Sequence, residues 1–382
     1  MIILGNYGVI NTNIRSFFMR ESYMDIHNNH LLERIKERMT YFCVPGVGFT
    51  IFQENRLECS INLGIEEVGK PQKVNSDSIF HACSMSKMVT SIGVLKLVQE
   101  GLLDLHEDAN VYLNSWHIPE NQYTNAKKVT ISSLLAHQSG FVDLEGSFDV
   151  YQKQSPFPPP KDLLLGKTKY NSESVEVKYI PDSEFHYSDT GFTILELIIE
   201  DVMGESFSSA IDKLVFAPLG LQKTFFWNGL SKPRSAEGAR LTAGHDKHGN
   251  VVNGTRVHYP NLSGAGLWTT PSEMALIVIE VIKSWGGDLT SLLSPESARK
   301  MLEGYGCAQY VGLGVFLSQV NGEHYMLSKG WGIGYQCMLV TYPRLKCGIV
   351  VMTNSEPGKP QEEALIGEVI RIVSQAYKWP GL

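Results

Sequence analysis

Apolar residues in "NNHLLERIKERMT" fall at Leu31, Leu32, Ile35 and Met39, a spacing that predicts an amphipathic helix over about residues 28–40. Two β-type runs follow, "VGFTIF" and "LECSINLG", separated by the turn-forming "QENR". They read as a hairpin. From Ser84 the helical period returns: Met88, Ile92, Leu95 and Val98 share one face, and Gly101 offers a stop. Further helices are expected over "TGFTILELIIEDVMG" (Thr190 to Gly204), "PSEMALIVIEVIKSW" and Gln361 to Tyr377. Strand patterns are scarce between Ser84 and about residue 250, where the Pro-rich "SPFPPPKD" marks a loop. Four short β-type runs come late, "VGLGVFL", "HYMLS", "YQCMLVTY" and "KCGIVVMTN".

Strands near both chain ends with a helical block between them predict an α/β (α+β) architecture, in which a mostly α-helical insertion interrupts one α/β domain. The expected division is 20–80 with 250–382 for the α/β part and 81–249 for the helical part. No internal repeat of fixed period is present.

Composition narrows the partners. With 43% hydrophobic residues in a chain of 382, a sizeable core is available. The 33 basic and 40 acidic residues give −7, with no block of like charges, which argues against a nucleic-acid arm or a membrane-binding face. The start "MIILGNYGVINTN" lacks a basic segment followed by a long apolar one, so no export signal is expected. The longest apolar stretches, such as "ALIVIEVI", fall far short of the roughly 20 residues that span a bilayer. A soluble, cytoplasmic protein is expected. Six cysteines without CxxC or zinc-ligand spacing read as free thiols in a reducing compartment.

Candidate chemistry begins at Ser84-Met85-Ser86-Lys87. Ser-x-x-Lys alone is weak, because Ser297-Ala298-Arg299-Lys300 also fits it, in what reads as a polar helix face. Helical spacing nevertheless brings residues i and i+3 together, so Lys87 can reach the Ser84 hydroxyl. A serine needs a base to take its proton, and an amine serves only if its pKa falls well below the usual ~10.4. Burial and the positive end of a helix are expected to push it that way. Cys83, the residue before Ser84, is expected to point away from the helix start.

The blocks "VPGVGFTIF", "FHACSMSKMVTSIGVLKLVQEGLLDLHED", "ISSLLAHQSGF", "FHYSDTGFTILELIIEDVMGESF", "FAPLGLQKTFF", "GAGLWTTPSEMA", "SKGWGIGYQ" and "VVMTN" run collinearly from about residue 44 to 355. Together they resemble the serine β-lactamase and penicillin-binding-protein-like superfamily, in particular its class C β-lactamase, D-aminopeptidase and esterase branch. The resemblance implies an antiparallel sheet flanked by the terminal helices, with the active site where it meets the helical insertion. It implies Ser84 as the acylated nucleophile, Lys87 as its base or base partner, and Tyr187 as the tyrosine that relays a proton. A phenol near ammonium groups is expected to ionise more easily than its usual ~10. The N–H groups of Ser84 and Trp331 would form an oxyanion hole.

Two positions depart from the family pattern. Asp189 stands two residues after the tyrosine, where many members have Asn; an ionised carboxylate accepts but cannot donate, so it would hold Lys87 as ammonium and shift proton acceptance toward Tyr187. The third motif, usually Lys-Thr-Gly or His-x-Gly, is Ser328-Lys329-Gly330 here. Strand side chains alternate faces, so Ser328 would take the site-facing place and Lys329 is not its equivalent. Asp189, Ser328, Lys329, Gly330 and Trp331 are the expected substrate-binding residues.

His137 in "LLAHQSGF" reads as a loop-stabilising residue, and no GxSxG elbow is present for an α/β-hydrolase. His245 and His248 in "GHDKHGN" lack further ligands and read as a turn. "GWGIGY" does not fit a phosphate-binding fingerprint. No cofactor or metal is implied. The expected activity is hydrolysis of a small-molecule ester, amide or lactam through an acyl-enzyme, with esterase or D-peptidase activity favoured over efficient β-lactamase activity. The alternative is a non-catalytic or slowly acylated sensor or scaffold on the same fold.

Overall fold

The structure, a computed structural model, describes residues 30–152, 156–230 and 238–381. The amino-terminal stretch read for an export signal lies outside the described residues. Helix α1 spans residues 30–41, and its Ile35 and Met39 are buried on the predicted face. Strands β1 (Gly46–Gln53) and β2 (Arg56–Gly64) form the predicted hairpin. At its turn, Glu54 and Asn55 both take positive φ, which Asn tolerates better than most residues.

The main sheet is six-stranded and antiparallel, in the order β2-β1-β10-β9-β8-β7. Its late strands are β7 (Phe316–Val320), β8 (Glu323–Gly332), β9 (Tyr335–Tyr342) and β10 (Cys347–Thr353). β1 pairs directly with β10, so residues some 300 apart in sequence close the sheet. The run "VGLGVFL" is only partly strand: β7 begins at Phe316, and the two glycines before it belong to a loop in which Gly314 adopts positive φ.

A smaller sheet, β4-β6-β3-β5, joins β3 (Ser78–His81), β4 (Phe225–Phe226), β5 (Arg240–Leu241) and β6 (Leu267–Thr269). Its strands are two to four residues long, too short to show a period.

Helix α2 (Ser86–Gln99) follows a 3₁₀ turn at Cys83–Met85, and Gly101 ends it at positive φ. The sequence predicts one apolar face, yet α2 is buried on nearly every side. Its polar residues are accommodated by hydrogen bonds: Thr90 to the Ser263 carbonyl, Ser91 to the Lys87 carbonyl, and Ser86 accepting from the Leu267 N–H. Helices α3 (Asp189–Met203), α4 (Pro271–Trp285) and α5 (Leu365–Tyr377) match the predicted periods to within a few residues.

The two faces of the main sheet bury different layers. Met326, Cys337, Leu339, Val350 and Met352 join the core built around α2, α3 and α4. Leu327, Met338, Val340, Ile349 and Val351 join α1 and α5 on the other face. Among the described residues no helix is long and apolar enough to cross a membrane.

Candidate active site

Ser84 sits in the Cys83–Met85 turn that leads into α2. Cys83 takes a left-handed φ of 47°, a strained conformation for a residue with a side chain and one found preferentially at functional sites. The Cys83 thiol is buried against His81 Nδ1 at 3.1 Å, with Cys337 as a second partner. Burial opposes its ionisation, but those two neighbours outweigh burial and lower its pKa to about 6.

One helical turn on, Lys87 Nζ lies 3.3 Å from Ser84 Oγ. It donates to Asp189 Oδ1 at 2.7 Å and to the Gly264 carbonyl at 3.1 Å. Burial works against the ammonium, but the Asp189 carboxylate outweighs it, and the Lys87 pKa is raised. This corrects the expectation of a depressed amine: the helix end and burial are overridden by one close counter-charge. Asp189 gains in turn; burial opposes its charge, Lys87 and the Asn261 amide favour it, and its pKa falls.

Tyr187 brings its phenol to the same place, interacting with both Lys87 and Ser84. Lys87 Nζ lies 4.8 Å from the Tyr187 ring centre. Two-fifths of Tyr187 is exposed (41%), whereas its hydroxyl end is enclosed. Burial raises its pKa despite the pull of Lys87, so the easier ionisation expected from charge alone is not what this environment produces. His137 stacks on the ring at 4.3 Å between centres and accepts from the Ser188 N–H at 3.0 Å. Burial, and then Lys87, push its pKa down to about 3, leaving a neutral imidazole that supports the tyrosine loop.

Three residues in this network carry no recognisable sequence signal. Asp143 accepts from Ser188 Oγ at 2.9 Å and from the Asp189 and Thr190 N–H groups, capping α3 where Asp189 begins it. Asn261 donates to Asp189 Oδ1 at 3.0 Å. Glu196, buried in α3, accepts from the Ser263 N–H at 2.9 Å and so anchors the helical turn Leu262–Ala265 that presents the Gly264 carbonyl to Lys87. Burial raises its pKa to about 8. Each partner is distant in sequence, and only an unpaired-looking acid or amide in the text could have hinted at it.

Strand β8 forms the opposite wall. Ser328 pairs across to Leu339 and lies on the face of Met326, toward α2, whereas Lys329 pairs across to Met338 and lies on the face of Leu327, toward α5. Lys329 there forms an ion pair with Glu362. Gly330 packs against the serine turn so closely that a Cβ would meet the Ala82 carbonyl oxygen at 2.3 Å. The Trp331 indole donates to Glu356 at 3.1 Å and is 44% exposed. Ser84, Lys87, His137, Tyr187 and Ser328 line one cleft, which Lys329 borders only as the next residue of β8, its side chain being paired on the other face; Val311, Val315 and Phe316 close the cleft, which holds about 10 Å³, the room of a single water-sized atom. A larger cavity of about 400 Å³ near Phe157, Glu200 and Trp227 touches none of Ser84, Lys87 and Tyr187.

The second Ser-x-x-Lys behaves differently. Ser297 donates its backbone N–H to the capping Ser294 Oγ at 3.1 Å and its own hydroxyl accepts from that Oγ at 3.0 Å, and Lys300 pairs with Glu296 at the surface. His245 uses both ring nitrogens on backbone groups, those of Val68 and Asn354.

A converging serine, lysine and tyrosine on this fold agree with the match of residues 33–371 to the family described as Beta-lactamase. The chain belongs to the beta-lactamase family. Protein flp of Staphylococcus aureus (strain MRSA252) is 25% identical over 325 residues, covering 81% of this chain but 60% of that protein. Among solved structures, the octameric penicillin-binding protein homologue from Pyrococcus abyssi matches with a TM-score of 0.72 at 22% identity, over 93% of this chain and 78% of the other. D-amino acid amidase from Ochrobactrum anthropi SV3 matches at 0.73 and 19%, over 92% and 98%. These likenesses establish the β-lactamase and transpeptidase-like fold. All six cysteines are free thiols.

Proposed function

We propose that this beta-lactamase-family protein is a serine hydrolase working through an acyl-enzyme on ester or amide carbonyls, with Ser84 as nucleophile. The observation that carries this reading is the convergence of Ser84, Lys87 and Tyr187 on one cleft. Lys87, held as ammonium by Asp189, cannot accept the serine proton; that role falls to Tyr187, whose phenolate is the minor form because burial raises its pKa, and which the Lys87 charge favours against burial. The N–H groups of Ser84 and Trp331 receive the oxyanion, a contribution of a few kcal/mol. Tyr187 passes the proton to the departing alcohol or amine as the C–O or C–N bond breaks, and water then hydrolyses the Ser84 ester, releasing the acid and restoring the hydroxyl. The site lies at the seam between the division 20–80 with 250–382 and the helical 81–249.

Ester and D-amino-acid amide substrates are favoured over lactams because Asp189 cannot donate to an acylamide carbonyl. A fluorophosphonate probe should label the wild type and not Ser84→Ala; equal labelling of both refutes the assignment. Turnover of a short-chain aryl ester, a D-amino-acid anilide and a chromogenic cephalosporin then ranks the substrates. A second reading, a slowly acylated sensor, draws on the raised pKa of both Lys87 and Tyr187, which leaves little base at neutral pH. An acylation burst without a steady state would select it.

A further inference from the structure

The larger cavity, about 400 Å³, borders Glu196 and Leu262 at the turn that holds the Gly264 carbonyl on Lys87, but it reaches none of Ser84, Lys87 and Tyr187. That is room for a small organic ligand. Its walls include Phe157, Phe207, Phe226 and Trp227, and one face of α3 adds Glu196 and Glu200, one helical turn apart.

Each acid already accepts one backbone N–H, Glu196 that of Ser263 and Glu200 that of Phe207, both at 2.9 Å. The charged groups that act on them are other acids, Glu200 on Glu196 and Asp201 on Glu200, with no lysine, arginine or histidine among them. Burial raises the pKa of both. Glu196 is only 2% exposed, and a carboxylate so enclosed is stabilised by a cation brought beside it. No cluster among the described residues could hold a metal ion, whereas aromatic rings attract organic ammonium groups through their faces. Trp227 makes a second, independent demand. It is 8% exposed, and its buried indole N–H has no hydrogen-bond partner among the described residues, where such donors are normally paired.

We propose that this cavity is a binding site for an organic ammonium ion that carries an aromatic body and an oxygen acceptor. The ammonium meets Glu196 and Glu200, the oxygen accepts from Trp227, and the body packs on Phe157 and Phe207. A ligand anion would face two acids with no cation to offset them. The site stands apart from the acyl-transfer reading, since binding here needs no turnover at Ser84.

Calorimetric titration of the full chain at neutral pH with 2-phenoxyethylammonium, its neutral analogue 2-phenoxyethanol and its anionic analogue phenoxyacetate tests the proposal. The Kd for the ammonium is expected to be at least about tenfold below that of the alcohol, with phenoxyacetate weaker than either. Glu200→Gln keeps a carbonyl that can accept the Phe207 N–H; it should weaken the ammonium about tenfold and leave the alcohol unchanged. Trp227→Phe should weaken ammonium and alcohol alike, by roughly five- to tenfold. Circular dichroism and the urea midpoint show that each variant is folded, and Glu200→Gln alone decides should Trp227→Phe not fold. Equal affinity for ammonium and alcohol, tighter binding of phenoxyacetate, or no binding of any probe overturns the proposal. So does a folded Glu200→Gln protein that keeps the wild-type ratio of ammonium to alcohol affinity. None of these outcomes bears on Ser84, whose assignment stands or falls by its own labelling.

Discussion

At the scale of single residues, the charge on Lys87 is decided by Asp189. A buried ammonium with its counter-ion removed costs about 3–5 kcal/mol, and an amine escapes that cost by losing its proton. Asp189→Asn is therefore expected to lower the Lys87 pKa, and that of Tyr187 too, because the Asp189 charge raises both. Whichever group accepts the serine proton, the rising limb of kcat/KM against pH should move to lower pH; an unmoved limb would show that Asp189 does not set the base. His137 makes a second case. Its pKa is about 3 in the fold against 6.5 as a free side chain, so below pH 6.5 the unfolded chain takes up a proton that the folded one refuses. Stability should fall as pH drops through that window, by up to about 1.4 kcal/mol per pH unit. His137→Asn, compatible with the residue's φ of 58°, should flatten that slope in urea titrations at several pH values.

At the scale of elements, β8 must lie against the turn that carries Ser84, and Gly330 makes that approach possible. In Gly330→Ala the new Cβ would meet backbone on one side and Cys337 Sγ at 2.4 Å on the other, so neither neighbour can yield cheaply. Overpacking of this kind costs about 1–3 kcal/mol, and displacement of the strand should reduce Ser84 labelling more than about tenfold. A variant of wild-type stability and labelling rate would contradict the packing described. Much of the element order was legible: the β1–β2 hairpin from alternation and a polar turn, α3 from its period and the left-handed Gly204 that ends it, and the Ser84, Lys87, Tyr187 set from collinear motifs. The smaller sheet was not, because strands of two to four residues leave no period. α2 misled in a different way, since its serines and threonine look like a solvated face until their carbonyl and N–H partners from distant segments are seen. Asp143, Asn261 and Glu196 were illegible for the same reason: what makes them matter is a partner 46, 72 or 67 residues away.

At the scale of the whole molecule, a site at a seam survives only as long as both sides hold. One apolar core contains Phe52, Leu339, Val350 and Met352 of the main sheet together with Ile92 of α2, Leu195 and Ile198 of α3 and Ile279 of α4. Such continuity means that sheet and helices cannot lose packing independently. Loss of the sheet should therefore destroy the cleft at the same denaturant concentration that unfolds the helical block. Met352→Ala, deep in the sheet and not itself among the residues that line the cleft, removes a fully buried side chain at a cost of about 2–5 kcal/mol. In urea, its tryptophan emission and its Ser84 labelling should both shift to lower midpoints, by the same amount and in a single transition. If labelling were lost well before or well after the fluorescence change, sheet and helical block would be separate cooperative units, and the shared core would not be what holds Ser84, Lys87 and Tyr187 in register with β8.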